Sequence, residues 1–282
     1  MGFFGSGRGS GDGSDGMEPR KLLRSATALA ASGKPKDAIS VYNRVLKRDP
    51  HNTGALYGKG MALNMIKKYS DAVTCFDRLL AVSPDDVKAL NNRGIALAEM
   101  GNIQDAAEYY QKAMKADPKH APSYFNMGVL LDRLREHEDA IDMLEKAHGL
   151  DPKKPNARFY KGIVLGKMRR HEEALKCFEQ VLRKHPDHAD ARFHKGIELA
   201  ETGRHEEALG AYDRLLSSHD DNVNLTYAKS RSLAALGRYP EALEFLKRAA
   251  SGRSKTIRKW AKEEPAFVPL HGNPQFRKIA KL

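Results

Sequence analysis

The amino-acid sequence predicts an all-α solenoid of about seven helix-turn-helix hairpins, each 34 residues long, closed by capping helices at the C-terminal end. The first observation is a row of prolines: Pro50, Pro84, Pro118, Pro152 and Pro186 follow one another at intervals of 34. The second is what lines up once each proline is set at place 32. The repeats are then 19–52, 53–86, 87–120, 121–154, 155–188, 189–222 and 223–256, and place 20 is Ala38, Ala72, Ala106, Ala140, Ala174, Ala208 and Ala242. The third is that place 8 is always small (Ala26, Gly60, Gly94, Gly128, Gly162, Gly196, Ser230), place 11 always leucine, and place 24 always aromatic or leucine. Self-similarity at a fixed period is the mark of a stacked-repeat architecture.

The columns account for each element of a repeat in turn. A small residue at place 8 and alanine at place 20 let two helices approach closely, with Leu at place 11 and the large residue at place 24 filling the space beside that contact. At place 15 the chain turns, and Gly33, Gly101, Gly203 and Gly237 supply a permissive backbone there. Lys67, Arg135 and Arg169 hold the same place elsewhere, which predicts a less demanding turn in those repeats. Acidic residues just after the turn, as in His171-Glu172-Glu173 and His205-Glu206-Glu207, suit a helix N-terminus. The Asp-Pro pairs at 49–50, 117–118 and 151–152 end the second helix, since the residue before proline is pushed out of the α region.

Outside the repeats, residues 1–18 are a Gly/Ser-rich stretch expected to be disordered. Met1-Gly2-Phe3-Phe4-Gly5-Ser6 fits the N-myristoylation pattern, with no polybasic stretch after it as a second anchor. Residues 257–282 form a basic helical cap: 257–264 continue as one more first helix with Trp260, and Phe267, Val268, Leu270, Phe276, Ile279 and Leu282 fold over the last apolar face.

Composition bounds the function. The chain has 282 residues, with 48 Lys+Arg against 36 Asp+Glu, a formal charge of +12, and 41% hydrophobic residues. Length alone would suggest about two domains. No apolar run reaches the ~18 residues of a spanning helix, and no apolar leader follows the N-terminus. Two cysteines, Cys75 and Cys177, are too few for a disulfide scaffold, which places the chain in a reducing, cytoplasmic setting.

The small, leucine, alanine, aromatic and proline columns together resemble the tetratricopeptide repeat family, over about five-sixths of the chain. The resemblance implies a right-handed superhelix whose first helices line a concave groove, contacted from places 2, 5, 6, 9, 12 and 13. Place 4 departs from the family's usual Trp: it holds Leu22, Leu56, Leu90, Tyr124, Arg158, Arg192 and Thr226. On that resemblance the candidate groove residues are Tyr57, Lys88, Asn91, Asn92, Phe125, Asn126, Phe159, Tyr160, Phe193, His194 and Tyr227. Asn92 and Asn126 stand one repeat apart, and an amide offers donor and acceptor to an extended peptide. Phe125, Phe159 and Phe193 offer apolar contact area, although aromatics at place 5 also belong to ordinary packing. One subset of the family clamps the C-terminal carboxylate of chaperones with Lys and Arg at set places. Reading Leu23, Thr27, Gly58, Lys88 and Asn92 against that set leaves one match, which predicts no binding of that kind.

Charge offers two more candidates. Arg253, Lys255, Arg258, Lys259, Lys262, Arg277, Lys278 and Lys281 face only two glutamates after residue 251, making a basic patch for nucleic acid or an anionic surface, or simply the solvated face of a cap. Lys59, Arg93, Lys161, Lys195 and Lys229 recur at place 7, next to core positions, where their stems pack along the hairpin. His137, His171 and His205 all occupy place 17, too far apart to share a metal, and no phosphate loop or nucleophile motif is present. The expectation is therefore a non-catalytic scaffold without metal or cofactor. Its partner would be a peptide segment or helix of another protein, the alternative being association with nucleic acid or an anionic surface through the basic C-terminus.

Overall fold

Leucine at place 11 and a left-handed residue at place 15 explain why each repeat folds back on itself. The amide at place 16 donates to the place-11 carbonyl, as in Lys68 to Leu63 (2.9 Å), Asn102 to Leu97 (2.9 Å) and Arg170 to Leu165 (2.9 Å). That bond closes the first helix only if place 15 takes positive φ. Gly101 does so at 87° without a side-chain penalty, but Lys67, Arg135 and Arg169 do so too, at 60°, 67° and 60°. The milder turn expected for those three repeats is therefore not what forms. The closing hydrogen bond is worth the strain of a non-glycine residue in that region, about 1–2 kcal/mol.

This computed structural model describes residues 17–216, 222–252 and 254–281, in two units that divide between Leu130 and Leu131. The N-terminal unit holds α1 (Met17–Ala31), α2 (Pro35–Arg48), α3 (Thr53–Met65), α4 (Tyr69–Val82), α5 (Val87–Glu99), α6 (Ile103–Ala116) and most of α7 (Ala121–Arg133). The C-terminal unit takes the end of α7, then α8 (His137–Leu150), α9 (Asn156–Lys167), α10 (His171–Lys184), α11 (Ala189–Glu201) and α12 (His205–Leu216). It continues with α13 (Val223–Ala235), α14 (Tyr239–Gly252), α15 (Ser254–Glu263), a short 3-10 segment (Pro265–Leu270) and α16 (Pro274–Ala280). Asp49, Asp117 and Asp151 cap the C-termini of α2, α6 and α8, so the Asp-Pro pairs end helices as expected. The predicted tail through residue 16, with Gly2 of the acylation pattern, lies outside the described residues; Met17 and Glu18, placed in that tail, are helical.

In the second, third, fifth and sixth repeats the core of the hairpin is a ring seated on a glycine: Phe76 on Gly60, Tyr110 on Gly94, Phe178 on Gly162 and Tyr212 on Gly196. A Cβ built on Gly94 would stand 2.6 Å from the Tyr110 ring and 3.3 Å from the Ala106 carbonyl, and one on Gly196 would stand 2.4 Å from the Tyr212 ring. The place-8 residue thus does more than bring two backbones together: it makes the socket for the place-24 ring. Phe76, Phe178 and Tyr212 are fully buried in this way. Burying each such side chain contributes ~1.5–3 kcal/mol.

The cap forms from Ile257, Ala261, Phe267, Leu270, Phe276 and Ala280, which join Leu233, Leu243 and Leu246 in one cluster. Two of its predicted members face water instead. Val268 is 59% exposed, because the 3-10 segment turns only Phe267 and Leu270 inward, and Trp260 is 41% exposed, lying against Tyr227 rather than inside a hairpin. Leu282 lies outside the described residues. No helix among the described residues is long and apolar enough to cross a membrane.

Candidate functional site

In the N-terminal unit, the first helices α3, α5 and α7 carry an amide cluster. Asn52 and Asp86 cap α3 and α5 by accepting from the amides of Ala55 and Ala89, which fixes where each helix starts and hence which side chains face one another. Asn92 Nδ2 donates to the Lys88 carbonyl (2.8 Å) and to the Tyr57 hydroxyl (3.3 Å). Asn91 Oδ1 accepts from Asn126 Nδ2 (2.9 Å) and from the Ser123 hydroxyl (3.3 Å), which also meets the His120 ring at 2.7 Å. Burial, then the Asp86 charge, pushes the Tyr57 phenol above its ordinary pKa.

The predicted residues are thus brought together, but in a different arrangement from a presented ladder. Asn91 and Asn92 are only 4% and 9% exposed, and their amides bond across repeats, because an unpartnered amide in that setting would be costly. Lys88 is exposed, Tyr57, Phe125 and Asn126 are half-buried, and these form the accessible part. Asn64, at place 12, belongs to the same cluster: its Nδ2 donates to the Asn92 carbonyl (3.4 Å), and its Oδ1 is buried without a partner. That place otherwise holds Ala or Gly except for Asp132, and the polar side chain was the available signal.

In the C-terminal unit, α9, α11 and α13 carry an aromatic row. The Phe159 ring lies 5.1 Å from His188, 5.6 Å from His194 and 5.8 Å from Phe178; Phe193 lies 5.6 Å from His194 and 6.3 Å from Tyr212. Tyr227 lies 5.5 Å from Trp260 and 6.2 Å from Phe267. Phe159, Tyr160, Phe193, His194 and Tyr227 are all half-buried: each packs on the core and leaves part of its surface to solvent. Burial, opposed by Asp190, lowers the His194 pKa and favours a neutral ring.

Charges accompany this row that reading places 5 and 6 did not reveal. Glu198, buried on α11, meets His171 Nδ1 at 2.7 Å; Asp132 meets Lys167 at 2.5 Å; Arg231 meets Glu201 at 2.6 Å and Glu264 at 3.7 Å. Four of these residues stand at groove places, Arg231 at 9, Asp132 at 12 and Lys167 and Glu201 at 13, where isolated charges were visible in the sequence.

The two cationic candidates resolve differently. Each place-7 cation from Arg93 onward meets a carboxylate at place 25 of the preceding repeat: Arg93 with Asp77 (2.5 Å), Lys161 with Glu145, Lys195 with Glu179 (2.8 Å) and Lys229 with Asp213 (2.5 Å). This row is an internal ion-pair ladder, not a track for a polyanion. Of the basic C-terminal patch, Arg258 donates to the Ile279 carbonyl (3.0 Å) and Lys262 to the Lys281 carbonyl (3.1 Å), tying α15 to α16. Lys255, Lys259, Arg277, Lys278 and Lys281 are exposed, and Arg253 lies outside the described residues.

Comparison with known proteins agrees with the repeat fold. Family models described as tetratricopeptide repeat match residues 66–121, 93–155, 161–222 and 195–255, and a second model of the same description matches 29–92. No curated protein matches the chain significantly. Among solved structures, a tetratricopeptide repeat protein from Parabacteroides merdae is 18% identical with a TM-score of 0.64, over 87% of this chain and 98% of that one. MamA is 26% identical with a TM-score of 0.50, over 57% of this chain and 95% of that one. YrrB, described as a tetratricopeptide protein with an unusual peptide-binding site, is 23% identical with a TM-score of 0.56, over 67% and 97%.

Proposed function

We infer a scaffolding function from the premise that this chain belongs to the tetratricopeptide repeat family: it binds a peptide segment or helix of another protein along its first helices and performs no chemistry itself. The observation that carries this reading is the half-buried aromatic row of Phe159, Phe193 and Tyr227, with Tyr160 and His194 beside it. Rings held rigidly by core neighbours present apolar area with little entropy left to lose on binding. In the N-terminal unit, Tyr57, Lys88, Phe125 and Asn126 would contact a partner, supported from beneath by Asn91 and Asn92. YrrB, whose description names a peptide-binding site, supports the reading by analogy of fold.

The alternative, binding nucleic acid or an anionic surface through the basic C-terminus, has less support, since Arg258 and Lys262 already hold the cap together. One experiment separates the two. Peptides selected from a display library against the full chain are mapped by hydrogen exchange at 50 and 200 mM salt. Protection of α3, α5, α9 or α11 that persists at the higher salt supports the groove. Protection confined to α15 and α16 and lost with salt replaces it with the electrostatic reading.

A further inference from the structure

Place 4 and place 28 are packing positions in most repeats. Place 28 holds Leu46, Leu80, Met114, Leu182, Leu216 and Ala250, and His148 alone among apolar residues; place 4 changes from Leu22, Leu56, Leu90 and Tyr124 to Arg158 in the fifth repeat. These two departures meet. In the C-terminal unit, the ends of α8 and α10 and the start of α9 enclose a crevice of about 210 Å³, whose charged and ionisable lining is His148, Lys154, Arg158, Arg183, Lys184 and His185. No carboxylate lines it. The equivalent crevice in the N-terminal unit is lined by Leu80 and Leu90 at the same two places; its charged lining is Lys112 and Lys115 together with the carboxylate Asp85, and it holds no guanidinium or imidazole.

Replacing two apolar packing residues by basic ones should destabilise a repeat unless something answers them. Among the described residues, His148 Nδ1 and Arg158 Nε are buried without a hydrogen-bond partner. The carboxylates nearby are committed elsewhere: Glu145 meets Lys161 closely and Arg158 only at 3.9 Å, and Asp151 meets Lys154 at 3.1 Å. Lys184 and His185 contact the carbonyls of Pro152 and Lys153, at 3.1 Å each, which holds the 151–155 loop as one wall. Burial, with the positive fields of Arg158 and Lys184, lowers the His148 pKa against the pull of Glu145 and Asp151, as expected in a pocket of excess positive charge. At the crevice, α9 starts from Pro155, which offers no side-chain cap, whereas Asn52, Asp86, His188 and Asn222 each cap their own helix.

We propose that this crevice is a binding site for a phosphate or phosphate-monoester dianion, free or carried on a partner's side chain. Two guanidiniums, two ammoniums and two imidazoles line a space of the right size for one such group, and a dianion supplies the acceptors that Arg158 Nε and His148 Nδ1 lack. The site lies at the inter-repeat edge and is separate from the aromatic row, so it stands or falls independently of the peptide groove.

The test titrates the full chain with inorganic phosphate at constant ionic strength, by calorimetry, while the His148 ring is followed by NMR. Saturable binding with a rise in the His148 pKa is expected, weakened at least tenfold by Arg158→Leu or His148→Leu. Both substitutions restore what other repeats carry and should fold, which circular dichroism checks; Arg183→Gln, on an exposed residue, should weaken binding several-fold without touching the core. A phosphoserine peptide binding at least tenfold tighter than both phosphate and its serine counterpart assigns the group to a partner, whereas equal affinity for peptide and phosphate assigns it to a free ligand. No saturable binding by 10 mM phosphate or phosphopeptide, or equal binding by wild type and all three variants, overturns the proposal.

Discussion

Three turns hold a lysine or arginine where the backbone asks for glycine, and replacing them tests the account of the hairpin directly. Lys67, Arg135 and Arg169 adopt φ of 60–67°, and all three are exposed, so their side chains contribute little to packing. A non-glycine residue there costs about 1–2 kcal/mol. Glycine removes that strain but loses roughly 0.5–1 kcal/mol more entropy on folding. The difference leaves each of Lys67→Gly, Arg135→Gly and Arg169→Gly stabilising by about 0.5–1 kcal/mol. Each site is in its own hairpin with no shared partner, so the triple variant should gain about 2 kcal/mol. For a chain of this length that raises the Tm by about 4–8 °C. Scanning calorimetry measures it, with Gly101→Ala, at φ 87°, as the reverse control expected to lose about 1 kcal/mol. An unchanged or lowered Tm in the triple variant would refute the argument that these turns are strained.

Other consequences are more local. Gly196→Ala should destabilise by about 1–3 kcal/mol, because its Cβ would stand 2.4 Å from the buried Tyr212 ring; a urea midpoint equal to wild type would show that the socket is loose. Phe276→Ala should cost about 3–5 kcal/mol and unfold the cap first, seen as early hydrogen exchange in α15 and α16. Lys229→Ala, which breaks a rung of the ion-pair ladder whose lysine is half-buried and whose Asp213 faces solvent, should change stability by only about 1 kcal/mol. Burial raises the Glu198 carboxyl above its ordinary pKa, with His171 pulling the other way. A carboxyl raised in the folded state contributes stability that is full below its unfolded value, about 4.3, and is lost as pH rises through the folded one. Glu198→Gln should therefore flatten the fall in Tm as pH rises through that window, and identical pH profiles for the two proteins would contradict it.

The fold was legible because each repeat solves the same local problem. A ring at place 24 needs a small residue at place 8, the fold-back needs a place-11 carbonyl and a left-handed residue, and these requirements recur every 34 residues whatever the surface does. The cap was legible for a related reason: exposed apolar ends must be covered, and Phe267 and Phe276 were the side chains at hand. The candidate site was legible only as a set of places. Whether Asn92 faces a ligand or Tyr57, and whether Lys161 faces a polyanion or Glu145, depends on side chains 16 to 35 residues away that carry no local pattern.

The sequence by itself determined the period, the all-α hairpins, the family resemblance and the first helices as the place to look for a partner. Only the tertiary structure decided that Lys67 takes the conformation of Gly101, that the place-7 cations are paired, and that His148 and Arg158 share one crevice. The physical reason is that helix formation and turn closure are governed by neighbours within a few residues, whereas the state of a charge or an amide is set by whatever polar group stacking brings within about 3 Å.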